Sequence, residues 1–245
     1  MREHYELNQL RGKDVFAILN KHKDIIDEYF WEYYKNYSTI KMEEYIRDIC
    51  RYFKPEGKVI SIGCGHGLNE IFMADMCIDI EEIFGLDIVQ EKINTMNKIV
   101  DILGFKNVKG SVGNAMKIGF QNEYFDTVII IESLSHVNDQ NRVLKEAVRV
   151  LKKRGSIFVL DFNNGANPKI LYKCWKEKYF KGVEENPVNP YYVRNRLRGF
   201  NIFDIAIIPY RSSPFYDKLT KKLALSIPSR VNLLLTRGFM LKGKK

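Results

Sequence analysis

Residues 59–70 read VISIGCGHGLNE: a β-branched run, three glycines spaced two apart (Gly63, Gly65, Gly67), then a helix-like pattern from Leu68. Glycine lets a backbone turn sharply and come close to a ligand, and a helix start offers unpaired N–H groups. Some 20 residues on, the apolar run EEIFGLD ends in Asp87. A nucleotide-binding βαβ unit places an acid there to hold ribose hydroxyls. Strand, glycine turn, helix and spaced acid together imply a nucleoside-containing cofactor.

The glycine spacing narrows which one. A dinucleotide fingerprint, GxGxxG, would put its third glycine at position 68, which is Leu68. That argues against a pyrophosphate at the helix start and against an NAD-dependent oxidoreductase. The stretch resembles the first motif of the class I S-adenosylmethionine (SAM) dependent methyltransferases, roughly [V/L]-[L/I]-D-[I/V/L]-G-C-G-x-G. The resemblance is good over 57–162, extends plausibly over 190–208 and is thin elsewhere. It implies a doubly wound α/β fold of the Rossmann-like kind, with a mainly parallel seven-stranded sheet. It also implies three parts: an N-terminal helical cap (1–56), the SAM-binding core (57–162), and a C-terminal part with substrate-side insertions (163–245). Ser61 departs from the motif, which carries at that position an acid that orients the glycine loop.

The resemblance assigns roles along the chain. The glycine loop, with Gly63, Cys64, Gly65 and Gly67, would pass under the methionine part of SAM, and Asp87 would grip the ribose hydroxyls. Ile88 would pack on the adenine face. Gly113-Asn114-Ala115 resembles the family's G-D-A element, and Asn114 there keeps an acceptor oxygen without the charge. The run from Ile131 to Val137 resembles an E-x-L-x-H-V segment that lies beneath methyl donor and acceptor, which makes Glu132 a cofactor-binding residue and His136 the catalytic candidate. His136 could serve as a base on a hydroxyl; similar histidines also merely cap a helix. The [D/N]-P-P-[Y/F] element of enzymes that methylate exocyclic amines is missing, which disfavours that chemistry.

Strand and helix patterns alternate through the core: strands over 58–62, 82–86, 107–111, 125–131 and 156–161, with amphipathic stretches between them. Continuous apolar strands of this kind belong to a parallel sheet covered on both faces. Later come a helix over 170–180, a helix over 191–197, a strand over 201–208, and a final antiparallel strand within 236–242. Before the core, residues 1–53 read as helical, with Tyr29, Tyr33, Tyr34 and Tyr37 crowded together. Aromatics at such spacing are more often core than a lid over a site.

Bulk composition bounds the rest. The chain has 245 residues, enough for one domain with additions. Its net charge of +9 is uneven: 163–245 holds 17 Lys/Arg against 5 Asp/Glu. An anionic partner is one reading of that asymmetry, and peripheral membrane contact through the basic, leucine-rich segment 215–235 is another. Four cysteines without CxxC or metal spacing suggest reduced thiols and no metal. No signal peptide or membrane span is legible, which suggests a cytoplasmic protein. The reading is a SAM-dependent methyltransferase acting on a small-molecule, saccharide or lipid-linked acceptor, with O-methylation favoured. Its rivals are an RNA methyltransferase, though no nucleic-acid module is legible, and a non-catalytic SAM-binding module.

Overall fold

A computed structural model describes residues 10, 12–162, 164–181, 185–210, 233, 236 and 238–245. Three helices, α1 (Val15–Asn20), α2 (Glu28–Tyr34) and α3 (Thr39–Phe53), precede the sheet. The chain then alternates through β1 (Gly57–Ile62), α4 (Leu68–Met76), β2 (Ile80–Asp87), α5 (Gln90–Leu103), β3 (Val108–Val112) and β4 (Phe125–Ile131). A 3-10 turn (Leu134–His136), α6 (Gln140–Val150), β5 (Leu151–Asp161), α7 (Pro168–Lys181), α8 (Pro190–Gly199), β6 (Phe203–Tyr210) and β7 (Gly238–Lys244) complete it. The strands form one seven-stranded sheet in the order β3-β2-β1-β4-β5-β7-β6. All neighbours are parallel except β7, which runs antiparallel to both β5 and β6. This is the expected architecture.

Alternation along the strands feeds two cores. Val59, Ile129, Ile131 and Phe158 face one side, while Ile60, Ile62, Val128, Ile130 and Ile157 face the other. Both sets are buried, as a sheet covered on two faces requires. Helices start and stop where local chemistry dictates. Asp139 caps α6 by accepting from the Arg142 N–H, and Asn189 caps α8 just ahead of Pro190. Gly104 ends α5 in the left-handed conformation, at φ 78°.

The N-terminal helices are built into the first core. Phe30, Ile46, Ile49 and Phe53 are fully buried there, and Phe53 stacks on Phe158 of β5 at 4.5 Å. The expectation of unpaired thiols is corrected at one pair: Cys50 on α3 and Cys77 at the end of α4 form a disulfide across 27 residues of sequence. Packing of α3 on α4 brings them together, and no local motif announces it. Cys64 and Cys174 are free and buried.

Other differences are of extent. Strand β5 begins at Leu151 rather than 156, because Leu151 pairs with Phe125 before a register shift. The closing strand begins at Gly238, two residues later than expected. The segment 215–235 lies, apart from Leu233, outside the described residues. Among the described residues, no helix is long and apolar enough to cross a membrane.

Candidate functional site

Three parallel strands end side by side at one edge of the sheet: β2 at Asp87, β1 at Ile62 and β4 at Ile131. Strand order reverses at β1, and ligands of open α/β sheets bind in the crevice outside the strand ends at such a point. The turn after β1 fills that crevice. Gly63, Gly65 and Gly67 all have positive φ, at 75°, 58° and 76°. Side chains are forbidden at two of them for packing reasons: a Cβ on Gly63 would lie 2.3 Å from Ser133, and one on Gly67 would lie 2.3 Å from Met96. Gly65 differs, since a Cβ there meets nothing within 4 Å. It faces open space, where a ligand can approach the bare backbone.

Asp87 holds this turn. Its Oδ2 accepts from the Gly65 N–H at 3.0 Å and its Oδ1 from the Val89 N–H at 2.9 Å. An ionised carboxylate has about four acceptor positions, so the same group can still take hydroxyl donors. The Gly113 N–H donates to the Asp87 carbonyl at 2.9 Å, which seats Asn114 and Ala115 beside it. Ile88 stands 69 % exposed next to them, open on one face. Asn114 Oδ1 accepts from the Met116 N–H at 2.8 Å, so it shapes its own turn. The Cys64 side chain points away from the crevice, with its sulfur 3.7 Å from that of Met96, and burial pushes its thiol pKa up.

The acid missing at Ser61 returns from another element. Ser61 Oγ donates to Glu70 Oε1 at 2.6 Å, and Glu70 sits in the first turn of α4. This side chain is 1 % exposed, and its Oε2 has no hydrogen-bond partner among the described residues. Burial raises its pKa to about 7, partly offset by the Ser61 hydrogen bond. An orphaned acidic oxygen behind the glycine turn, an open glycine backbone and Asp87 together suit a cofactor that carries a ribose and an ammonium group.

Glu132, directly after β4, is the second unusual carboxylate. It holds φ 49°, a left-handed conformation rare for a residue with a side chain. Its N–H donates to the Leu160 carbonyl at 2.8 Å, and its Oε1 accepts from the Tyr45 hydroxyl of α3 at 2.9 Å. Burial raises its pKa to about 7, with Asp161 at the end of β5 pushing the same way. His136 is exposed on the 3-10 turn, and its ring makes no hydrogen bond among the described residues.

The α2 helix covers the glycine turn. Phe30 and Tyr34 point inward, packing edge-on to the buried ring of His66 at 5.6 and 6.2 Å. Tyr29, Tyr33 and Tyr37 face outward, so the aromatic cluster is half core and half surface. Asp27 anchors this arrangement. It caps α2 through the Phe30 N–H at 2.8 Å, accepts from Thr95 Oγ1, and lies 3.6 Å from His66 Nε2. Replacing Asp27 with Ala is expected to cost about 1–2 kcal/mol, read as a lower urea midpoint with an unchanged m-value.

The structure brings the glycine turn, Asp87 and Glu132, all singled out from sequence, to one edge of the sheet, and sets beside them Glu70, Tyr45 and Asp161, which were not. The signal for Glu70 was available: an acid in the first helical turn, nine residues after Ser61, where this chain lacks the motif's acid.

Comparison with known proteins bears on this geometry. A family profile described as a methyltransferase domain matches residues 53–191. A demethylmenaquinone methyltransferase of Bacillus cereus is 28 % identical over 151 residues, covering 62 % of each chain. One from Lactobacillus johnsonii is 27 % identical over 179 residues, 73 % of this chain and 69 % of the relative. The match thus spans less than two thirds of the Bacillus protein's length. Among solved structures, a SAM dependent methyltransferase from Archaeoglobus fulgidus aligns with TM-score 0.65 and 19 % identity, over 89 % of this chain and all of that one. The [4+2]-cyclase SpnF aligns with TM-score 0.60 and 17 % identity, over 83 % of this chain and 80 % of the other. These structures share the fold, and a shared fold leaves the reaction open.

Proposed function

The chain belongs to the methyltransferase domain family, the SAM-dependent enzymes of class I fold, and from that premise we propose that it moves the methyl group of SAM to a hydroxyl of a small organic acceptor. The observation that carries the cofactor half is the Asp87 carboxylate, fixed against the open backbone of Gly65 at the strand-order reversal. The acceptor half leans on the curated relatives, whose names specify a quinone-type substrate. An aromatic hydroxyl compound is therefore the first acceptor class to try. Nothing in the described site favours RNA.

Bound SAM supplies a methyl group on a positively charged sulfur, an excellent leaving group. The protein's part is to bind, orient and exclude water. Gly63, Gly65 and Gly67 would carry the amino-acid end on bare backbone. Asp87 would take the ribose hydroxyls, and Ile88 with Asn114 and Ala115 would bound the adenine. Orientation of this kind can supply up to about 7–11 kcal/mol of barrier reduction, so no catalytic triad is needed. We assign acceptor choice to the flanking parts, 1–56 and 163–245, around the 57–162 core.

Calorimetric titration with S-adenosylhomocysteine, using NAD as comparator, tests the cofactor assignment. Binding of the first ligand in the micromolar range with no heat from NAD is expected. A folded, ligand-free sample that ignores S-adenosylhomocysteine would overturn the reading.

A further inference from the structure

We propose that Glu132 is a catalytic base: its carboxylate receives the proton of an aromatic hydroxyl acceptor seated against Tyr33 and Tyr37. The inference rests on the methyl-transfer reading above and adds to it a residue, a role and an acceptor surface.

The geometry points there from four sides. Glu132 follows the last residue of β4, and its neighbour Ser133 touches Gly63 so closely that a Cβ on that glycine would lie 2.3 Å away. The Ser133 hydroxyl donates to the Ile62 carbonyl at 2.8 Å, locking the two turns together. Glu132 therefore borders the cofactor turn at the β4 side of the crevice, with Asp87 on the β2 side. Its left-handed backbone, at φ 49°, is a conformation that costs on the order of 1–3 kcal/mol and persists at sites that use it.

Tyr45 fixes one carboxylate oxygen at 2.9 Å. The other takes no hydrogen bond among the described residues. Groups within electrostatic reach of Glu132 come from three elements: Tyr33, Tyr34 and, just beyond it, Tyr37 from the α2 side; Tyr45, in direct hydrogen bond, from α3; and Asp161 from β5. None is a cation, so no positive charge among them holds the carboxylate ionised. Desolvation, joined by the Asp161 charge, lifts its pKa to about 7, the range in which a base is most effective near neutral pH. The same negative charge raises the phenols of Tyr33 and Tyr37, after their own burial, so these stay protonated.

The acceptor surface is aromatic. The rings of Tyr33 and Tyr37 stack at 6.2 Å with 12° between planes, and they are 57 % and 41 % exposed. Flat aromatic faces stack on flat rings. An aromatic ring with an ionisable hydroxyl meets both halves of this surface, face to tyrosine and O–H to carboxylate.

The step balances without a further reagent. The acceptor O–H breaks toward a Glu132 oxygen as the acceptor oxygen bonds to the methyl carbon. The pair of the methyl–sulfur bond stays on sulfur, which leaves as a neutral thioether. Glu132 ends protonated and returns its proton to solvent.

The test uses the full chain with tritiated-methyl SAM and 1,4-dihydroxynaphthalene, kept reduced, as acceptor, with phenethylamine as the amine comparator. For wild type, kcat/KM should rise with pH through an inflection near 7 and then level off. Glu132→Gln should lower it by about 10²–10³-fold and flatten the profile, and Glu132→Asp should recover part of the loss. S-adenosylhomocysteine affinity should be the same in all three, which separates this role from folding and cofactor binding. Glu132→Gln with wild-type rate and profile overturns the base. Transfer to the amine but not the diol, or to neither by a protein that binds S-adenosylhomocysteine, overturns the acceptor class. Failure of wild type to bind S-adenosylhomocysteine instead sinks the methyltransferase reading beneath it.

Discussion

Asp87→Ala is expected to weaken S-adenosylhomocysteine binding by about 100-fold, corresponding to about 3 kcal/mol. Two effects combine. The carboxylate would bond the ribose hydroxyls, and hydrogen bonds to a charged group contribute about 1.5–3 kcal/mol each. It also accepts from the Gly65 and Val89 N–H groups, so its removal unfastens the turn that the ligand rests on. Asp87→Asn keeps an acceptor oxygen and loses the charge, and should lie between wild type and Ala. Titration calorimetry on the three proteins, with urea unfolding alongside, separates the ligand term from the turn term. Equal affinities for wild type and Ala would place the ribose elsewhere.

Glu70→Gln is expected to stabilise the protein at pH 8. The carboxyl group is buried, with a folded pKa of about 7 against an ordinary 4.5. Between those values the folded state keeps a proton that the unfolded chain has lost, so stability falls as pH rises from about 4.5 to about 7. Above that window the full cost is present, up to about 3 kcal/mol at 1.36 kcal/mol per pKa unit. Glutamine carries no charge, and its carbonyl oxygen can still accept from Ser61. The gain should appear as a melting temperature several degrees higher at pH 8 and little changed at pH 4.5. Glu132 is shifted in the same direction and to about the same value, so the variant should retain about half of the wild-type decline. A variant whose stability follows the wild-type curve at every pH would show that folding does not raise the pKa of Glu70.

What could be read from sequence was local. The β4 strand came out at its true limits, 125–131, because the β-branched run Thr127 to Ile131 behind Phe125 is bounded by the polar stretch 121–124 and by Glu132. The glycine turn and Asp87 were legible because their spacing is set by one βαβ unit. What failed to show depends on packing between distant elements. The Ser61–Glu70 pair crosses from strand to helix, and the Tyr45–Glu132 bond joins residues 87 apart. On α2 every candidate is aromatic, so no contrast in polarity tells Phe30 and Tyr34, which are buried, from Tyr29 and Tyr33, which are not. The Cys50–Cys77 bridge was invisible for the same reason: its partners meet only once α3 lies on α4.

That bridge has a consequence for how an acceptor enters. With Cys50 tied to Cys77, and Lys242 Nζ donating to the Phe53 carbonyl at 3.1 Å, the far end of α3 is fastened to both the core helix and the sheet. Tyr45 and its grip on Glu132 therefore stay in place when the protein breathes. Helices α1 and α2 carry no covalent link; they are held by buried side chains such as Val15, Leu19 and Phe30 and by hydrogen bonds from Thr95 to Asp27 and from Lys98 to the Ile25 carbonyl. In the oxidised chain one wall of the crevice is thus bolted and the other only packed, and amide exchange should be slower along α3 than along α1 and α2.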